Sequence, residues 1–240
     1  MFSASLTYVL IVVPISVALG LGSALLISSL RIGNELYKAI FFLPVMATLL
    51  AMAIVWEFAL NPIMGVVNDI LRSGCDKRLI YGFFTGAWYG ADPLQSWYGT
   101  ACADRFPIWL GDKRYALGTI AFIGIWQGFG FNMVLYLAGL TSVPRELYQA
   151  AHMDGADSAW ERFKLVTWPM LGPTHVFVIT ISSIRSFQVF DTVEALTEGG
   201  PSKSTYVMVY AMFEKGVRQN LLGIGSAITI VFLAFVLVLT

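Results

Sequence analysis

The stretch from Val143 to Pro173, VPRELYQAAHMDGADSAWERFKLVTWPMLGP, is a charged island in a mostly apolar chain. Its charged side chains all fall within twenty residues: Arg145, Glu146, Asp154, Asp157, Glu161, Arg162 and Lys164. The run that precedes it, residues 116–144, contains no charged residue. A segment that only joined two apolar runs would not need this much charge, so the stretch is expected to carry a function of its own.

Helix signals within this stretch predict two short helices. The first is expected to begin at a cap on Ser142 or Val143, with Pro144 in its first turn, where a missing N–H costs nothing. Gly155 suits the left-handed conformation that ends many helices. Residues 158–161, Ser-Ala-Trp-Glu, match the S-x-x-E pattern of a capping box and predict the second helix. The stretch is therefore expected to form a helical hairpin with a glycine corner.

The first predicted helix would present a ridge of mostly small side chains. Leu147, Ala150, Ala151 and Asp154 recur at helical spacing, so they share one face. A ridge of this kind can fit into a groove on another protein.

The composition indicates an integral membrane protein. Of the 240 residues, 57% are apolar and 12% are charged, about half the charged share of a soluble domain. Because a bilayer core requires about 20 apolar residues in a helix, long charge-free runs are candidate spans. These runs are residues 1–30, 39–56, 116–144, 165–184 and 219–240. The expected fold is all-α, a polytopic bundle of membrane helices, and Pro44 predicts a kink in the second span.

Other classes of function find little support. Fifteen basic and fifteen acidic residues cancel, so no nucleic-acid partner is indicated. The sequence has neither a nucleophile with its base and orienting group nor a G-x-x-x-x-G-K-[ST] phosphate loop, so a catalytic role is not expected. Its His and Cys spacings do not suit zinc, so no metal is expected. Cys75 and Cys102 lie between the second and third runs, where a disulfide and two free thiols are equally compatible with the sequence.

Several motifs, in order along the chain, resemble those of one family of membrane proteins. The hairpin carries the pattern E-x-x-x-A-A-x-x-D-G-A over residues 146–156, and Phe163, Pro169 and Pro173 follow it. Further matches are FFLP at 41–44, FALNPIMGVVN at 58–68, FNMVLYLAGL at 131–140 and SFQVFDTVEALTEGGP at 186–201. The series resembles the permease subunits of ABC importers. The form ELYQAAHMDGA is similar to their carbohydrate-uptake branch, the maltose and glycerol-phosphate type.

The resemblance implies a type I ABC importer transmembrane domain, with residues 1–240 as a single permease domain. It implies that residues 143–168 form the cytoplasmic EAA-type coupling loop and that residues 57–115 form an extracytoplasmic loop. A bacterial inner (plasma) membrane protein with several passes is expected. The family core has six spans, so this chain, with about five, is expected to lack the first span and to have lost residues at both ends.

The resemblance also implies partners. A dimeric ATP-binding subunit, which would hold ATP and Mg while this chain binds no cofactor, is expected to receive the hairpin. The coupling residues would be Glu146, Leu147, Ala150, Ala151, Asp154 and Gly155. The glycine-glycine-proline turn at 199–201 is similar to that of the larger, maltose-type subunit and implies a heterodimer with a second permease. An extracytoplasmic solute-binding protein, a sugar or oligosaccharide substrate and membrane lipid complete the expected assembly.

A pathway for sugar should be lined by amides that pair with hydroxyls and by aromatic faces that stack on sugar rings. The principal candidates are Gln127, Asn132, Tyr136, Phe187, Gln188 and Asp191, with Trp126 and Ser183 as further ones. Each could instead serve helix packing or interhelical hydrogen bonds, which satisfy polar groups at membrane depth. Arg185 suits either an acidic sugar or an anchor at the membrane boundary.

Two alternatives remain open. The same machinery could carry another solute, such as a polyol phosphate or an amino acid. A secondary transporter or channel is the second alternative, and it would require an ionisable residue inside the spans as an ion site. The apolar runs contain almost none.

Overall fold

The computed structural model describes residues 1–30, 33–62, 64–68 and 108–239. Every regular element within these ranges is a helix, as the all-α prediction requires. Cys75, Cys102 and most of the loop over residues 57–115 lie outside the described residues. The choice between a disulfide and two free thiols therefore stays open.

The helices follow one another in a simple order. They are α1 (Phe2–Ser29), α2 (Asn34–Met46), α3 (Leu49–Ala59), α4 (Ala116–Thr141), α5 (Arg145–Met153), α6 (Ala159–Arg162), α7 (Trp168–Met170), α8 (Gly172–Phe187), α9 (Asp191–Leu196), α10 (Met208–Phe213) and α11 (Leu222–Leu239). One π-helical segment, Phe163–Thr167, joins α6 to α7, and another, Glu214–Arg218, follows α10.

The apolar runs of the sequence all lie on helices. By length and composition α1, α4 and the stretch Gly172–Leu196, which contains α8 and α9, can each cross a membrane. Helices α2 and α3 form a bent pair that would supply a fourth span if both halves belong to one. Helix α11 is apolar but shorter. The described part of the chain therefore holds the predicted bundle of apolar helices, with three or four that meet the length and composition of a span where about five were expected.

The second run is broken rather than kinked at its proline. Pro44 lies inside α2, and the helix continues past it to Met46. Ala47 and Thr48 then adopt extended backbone conformations, with ψ of 140° and 139°. Helices α2 and α3 meet there at an angle of 96°. The predicted kink at Pro44 is thus displaced toward the C-terminus, because the helix ends where these two residues leave the helical conformation.

Helices α1 and α4 form a closely packed parallel pair at the centre of the bundle. A Cβ atom added to Gly20 of α1 would lie only 2.6 Å from the Cβ atom of Asn132 of α4. Such close approach is typical of membrane helices that meet at a small residue. At the end nearer the charged hairpin, α1, α4 and α8 bury a common core around Ile27, Met133 and Val178.

A second core lies at the opposite end of the α1–α4 pair. There Tyr8 of α1, Ile120 of α4 and Phe187 of α8 pack with residues of α10 such as Tyr210. The backbone N–H of Met208 donates to the hydroxyl of Ser5 at 2.9 Å, which fixes the start of α10 against α1. The segment after the glycine-glycine-proline turn is therefore part of the core.

Candidate functional site

The first leg of the charged hairpin is α5. Pro144 occupies its N-cap position, with φ of −62° and ψ of 134°, so the prediction that Pro144 lies in the first turn is wrong by one residue. The expected cap at Ser142 or Val143 is also wrong, because the Ser142 hydroxyl donates to the carbonyl of Gly139 at 2.7 Å and so closes the end of α4. Since the proline ring fixes φ near this value, it fits the extended cap as well as a helical turn.

The corner of the hairpin is built on Gly155. Its φ of +87° is in the left-handed region, as predicted. The N–H of Ala156 donates to the carbonyl of Ala151 at 2.9 Å, and the N–H of Asp154 donates to that of Ala150 at 3.0 Å. These bonds satisfy carbonyls that the end of α5 would otherwise leave without partners. The corner is therefore a complete helix terminus and not a loose loop.

The second leg begins at the predicted capping box. The N–H of Ser158 donates to Oε2 of Glu161 at 3.1 Å, and the N–H of Trp160 donates to the Ser158 hydroxyl at 3.3 Å. A hydroxyl contact of 2.9 Å between Tyr148 on α5 and Thr167 on the π-helical segment ties the two legs together. The hairpin thus forms a defined unit that leads through α7 into the membrane helix α8.

The proposed coupling residues lie on the outer side of this hairpin. Glu146, Leu147, Ala150, Asp154 and Gly155 are exposed, and Ala151 is half-buried. None of the residues of α5 is buried. The ridge of mostly small side chains predicted from the sequence is therefore free of contacts that would cover it in the described part of the chain.

Two exposed apolar side chains of the hairpin were missed from the sequence. Met153 is 86% exposed at the end of α5, and Trp160 is 69% exposed on α6. In the sequence both resemble core positions, since apolar residues recur throughout the chain. Only the fold shows that they extend the apolar surface of the hairpin.

A cavity of about 480 Å³ opens between the membrane helices. Its walls come from α1, the break between α2 and α3, α4, the C-terminal part of α8, and α9. Polar and aromatic side chains share the lining: Tyr8, Ser16, Gln127, Phe131, Asn132, Ser182, Arg185, Ser186, Gln188, Phe190, Asp191 and Thr192. A concave site with a mainly apolar wall and a few polar groups is typical of small-molecule sites.

Four of the principal pathway candidates line this cavity: Gln127, Asn132, Gln188 and Asp191. The other two do not line it. Phe187 is 1% exposed and packs edge-on against Phe235 of α11, at 4.9 Å between ring centroids. Tyr136 is fully buried toward the hairpin end of the bundle. Phe187 therefore has the packing role, whereas Tyr136 lines a separate pocket at the hairpin end together with Trp168 and His175.

The two amides on α4 have different environments. The Asn132 amide donates to Ser16 of α1 at 3.3 Å and accepts from Ser182 of α8 at 2.9 Å. Asn132 is only 2% exposed, so its main role is to connect three helices. Gln127 lines the cavity and makes no hydrogen bond to a residue that the structure describes. Of the two, Gln127 is therefore the amide whose hydrogen-bonding groups remain available on the cavity side.

The guanidinium of Arg185 stacks on the Phe131 ring at 3.8 Å from its centroid, a cation–π contact within the cavity wall. Ser16 and Phe131 were not identified from the sequence. A serine in an apolar helix usually bonds to its own backbone, and a phenylalanine usually packs, so neither carries a signal for a cavity.

The fold has close counterparts among solved structures. A bacterial alginate ABC transporter in complex with an alginate pentasaccharide-bound periplasmic protein superposes with a TM-score of 0.77 at 21% identity, over 99% of this chain and 73% of the other. A bacterial ABC transporter involved in the import of the acidic polysaccharide alginate gives 0.76 at 22% identity, over 99% and 75%. At this level of identity, the likeness shows that the fold is shared.

Sequence relatives point to the same group. The trehalose/maltose transport system permease protein MalF of Thermococcus litoralis is 33% identical over 230 residues, which cover 95% of this chain and 66% of that protein. The sn-glycerol-3-phosphate transport system permease protein UgpA of Brucella abortus is 28% identical over 241 residues, 99% of this chain and 72% of UgpA. This chain therefore spans about two thirds to three quarters of these relatives.

A family profile described as "Binding-protein-dependent transport system inner membrane component" matches residues 6–240, nearly the whole chain. The matched region contains both the hairpin and the cavity. This chain belongs to that family of transport permeases of the inner membrane.

Proposed function

We propose that this chain is one permease subunit of an ATP-driven importer for a sugar or oligosaccharide, that it forms half of the translocation pathway, and that its hairpin couples it to the ATPase. The observation that carries the proposal is the continuity between the two sites. The uncovered ridge of α5 leads through α6, the π-helical segment and α7 into α8, whose far end lines the cavity. A force applied to the hairpin would therefore act on the wall of the cavity.

The energy would come from another subunit. The sequence lacks a phosphate-binding loop of the G-x-x-x-x-G-K-[ST] kind, so ATP and Mg would bind to a dimeric ATPase. Glu146, Leu147, Ala150, Ala151, Asp154 and Gly155 would dock into that partner. Residues 143–168 would then lie in the cytoplasm, and residues 57–115 on the outer side.

Three further partners are part of the proposal. A second permease would complete the pathway as a heterodimer, because the cavity is only partly enclosed by the helices of this chain. An extracytoplasmic binding protein would deliver the solute, in keeping with the family description and with the periplasmic protein named for the alginate transporter. Lipid would surround the apolar helices.

A carbohydrate is the solute class that best fits the cavity. Gln127 and Gln188 offer amides to hydroxyl groups, and Phe190 offers an aromatic ring to sugar rings. Names of relatives support this class, since they include a trehalose/maltose system and a glycerol-3-phosphate system. The second of these names keeps a polyol phosphate as the alternative solute, and Arg185 in the cavity wall would suit its charge.

The proposal can be tested with the whole complex in proteoliposomes. The probes would be radiolabelled trehalose, maltotriose, an alginate trisaccharide and sn-glycerol 3-phosphate, each supplied with the binding protein and with ATP inside the vesicles. We expect ATP-dependent uptake of at least one saccharide. Uptake of sn-glycerol 3-phosphate alone would favour the alternative solute, and uptake that persists without the ATPase would refute the proposal.

The coupling role has its own variant. Glu146→Gln removes a charge from the exposed ridge without changing its size, so we expect uptake to fall by about tenfold or more, the loss expected for a buried interfacial charge pair. Glu35→Gln is the matched control, because Glu35 is exposed and pairs only with Lys38 at 2.8 Å in the described part of the chain. Equal uptake by both variants would remove Glu146 from the coupling site.

A further inference from the structure

A line of aromatic rings runs from the hairpin into the membrane bundle. Trp160 stacks on Phe163 at 5.4 Å between centroids, and Phe163 contacts Trp168 at 5.9 Å. Trp168 then contacts the ring of His175 on α8 at 4.5 Å. The line crosses the π-helical segment Phe163–Thr167, so it bridges the point where the helix between hairpin and membrane is irregular.

The line ends in a hydrogen bond between two membrane helices. The hydroxyl of Tyr136 on α4 lies 2.9 Å from Nδ1 of His175, and the two rings meet at 5.2 Å. Tyr136 is completely buried, and the other ring nitrogen of His175, Nε2, is buried without a partner among the described residues. Among the described residues, the bond to Tyr136 is therefore the one hydrogen bond that orients the imidazole, in addition to its ring contact with Trp168.

Two further contacts connect α4 and α8 on either side of this bond. Nearer the hairpin, a Cβ atom added to Gly139 would come within 2.6 Å of the Thr174 hydroxyl, so the helices nearly touch there. Nearer the cavity, Ser182 donates to Asn132 at 2.9 Å. The three contacts together hold α4 and α8 in one register from the hairpin to the cavity.

We propose that the Tyr136–His175 pair is a positioning joint that makes α4, α8 and the hairpin move as one rigid body. Without this joint, displacement of the hairpin would be absorbed at the π-helical segment, where a helix departs from its regular hydrogen bonding. With it, the same displacement reaches the cavity wall. This inference rests on the proposed function, because it assumes that a partner ATPase displaces the hairpin.

The test measures one distance in the reconstituted complex. Spin labels at Met153→Cys on the hairpin and Gly118→Cys on α4, with Cys75 and Cys102 changed to serine, report the distance by pulsed electron spin resonance. Met153 is 86% exposed, and a Cβ atom on Gly118 meets nothing within 4 Å, so neither label disturbs packing. At 1.5 Å per residue, Gly118 lies about 35 Å along α4 from Thr141, within range of the method.

When Tyr136 and His175 are unmodified, we expect one narrow distribution of distances between the two labels. This distribution should be the same before and after vanadate trapping of the ATPase. Tyr136→Phe and His175→Phe keep both rings but remove the hydrogen bond. In these variants a second population should rise by about two- to tenfold after trapping, the shift that one lost hydrogen bond allows. Because the pair acts as a unit, the double variant should equal either single one.

Controls separate this role from a merely structural one. Tyr37→Phe removes a hydroxyl from an exposed tyrosine of α2 and should leave the distribution unchanged. A variant that melts at a lower temperature but keeps the narrow distribution would show that the bond serves stability only and would overturn the inference. The inference would also be overturned if vanadate trapping changed the distance between the labels in the complex with unmodified Tyr136 and His175. Absence of vanadate-sensitive ATPase activity in the complex would instead contradict the proposed function.

Discussion

Gly155→Ala is the substitution that tests the hairpin corner most directly. Gly155 has φ of +87°, and a Cβ atom built there would meet nothing within 4 Å. The substitution therefore creates no collision, and its whole cost is the strain of a left-handed alanine. That cost is about 1–2 kcal/mol, or about a five- to thirtyfold shift from the native corner to other conformations.

Two matched variants isolate this cost. Asparagine tolerates the left-handed conformation better than other non-glycine residues, so Gly155→Asn should recover much of the loss. Gly118 of α4 also has open space around it but has a helical backbone, so Gly118→Ala should be neutral or slightly stabilising. The expected order of coupling efficiency is Gly118→Ala equal to the unmodified chain, then Gly155→Asn, then Gly155→Ala.

The assay combines two measurements on the reconstituted complex. Hydrogen exchange over residues 145–157 reports how often the corner opens, and it should accelerate by about five- to thirtyfold in Gly155→Ala. Binding-protein-dependent uptake should fall in parallel, because the ridge of α5 would no longer be held in one orientation. Native exchange and uptake in Gly155→Ala, or a greater loss in Gly155→Asn, would refute the assignment of the corner as a left-handed turn that orients α5.

Two further pairs of variants test the bundle and the cavity. Gly20→Ala should lower the free energy of unfolding by about 1–3 kcal/mol, because its new Cβ atom would come within 2.6 Å of the Asn132 Cβ atom. Gly22→Ala is the control, since a Cβ atom there would meet nothing within 4 Å. In thermal unfolding, the Gly22→Ala variant should have the same melting temperature as the unmodified chain. Equal melting of both would contradict the close packing of α1 and α4. Gln127→Ala should raise the KM for the transported solute by about two- to tenfold without lowering the melting temperature, while Phe187→Ala should cost about 3–5 kcal/mol of stability. If Phe187→Ala instead raised the KM and left the stability unchanged, while Gln127→Ala lowered the stability, Phe187 would have to be assigned to the solute pathway.

The hairpin could be predicted well because its signals are local. A capping box and a left-handed glycine each depend on a few neighbouring residues, and both are found at Ser158 and Gly155. The local errors, the placement of Pro144 and the cap expected at Ser142 or Val143, arise because the proline ring sets φ and leaves ψ free. Contacts from the rest of the chain then decide whether the proline caps the helix or enters it.

The cavity could be predicted only in part, because the membrane helices are apolar on nearly all sides. Hydropathy then locates a span but does not tell which side of it faces protein. Phe187 and Gln188 show the consequence, since adjacent positions at the end of α8 face the core and the cavity respectively. Which of the two faces solute depends on how α8 rotates against α1 and α4, and that rotation is fixed by distant contacts such as the Asn132–Ser182 bond.

Hydrogen bonding shows which polar side chains at membrane depth hold helices together and which face the cavity. An amide that is removed from water is stable when its hydrogen bonds are made, and Asn132 makes them with Ser16 and Ser182. Gln127 lies about one and a half turns earlier on α4 and makes no hydrogen bond with the described residues. Its amide is therefore stable at membrane depth only because it faces the cavity. Satisfied amides hold the helices together, whereas under the proposed function an amide left for the cavity is the one that a sugar hydroxyl would use. The division between structure and transport on α4 therefore follows from hydrogen-bond satisfaction.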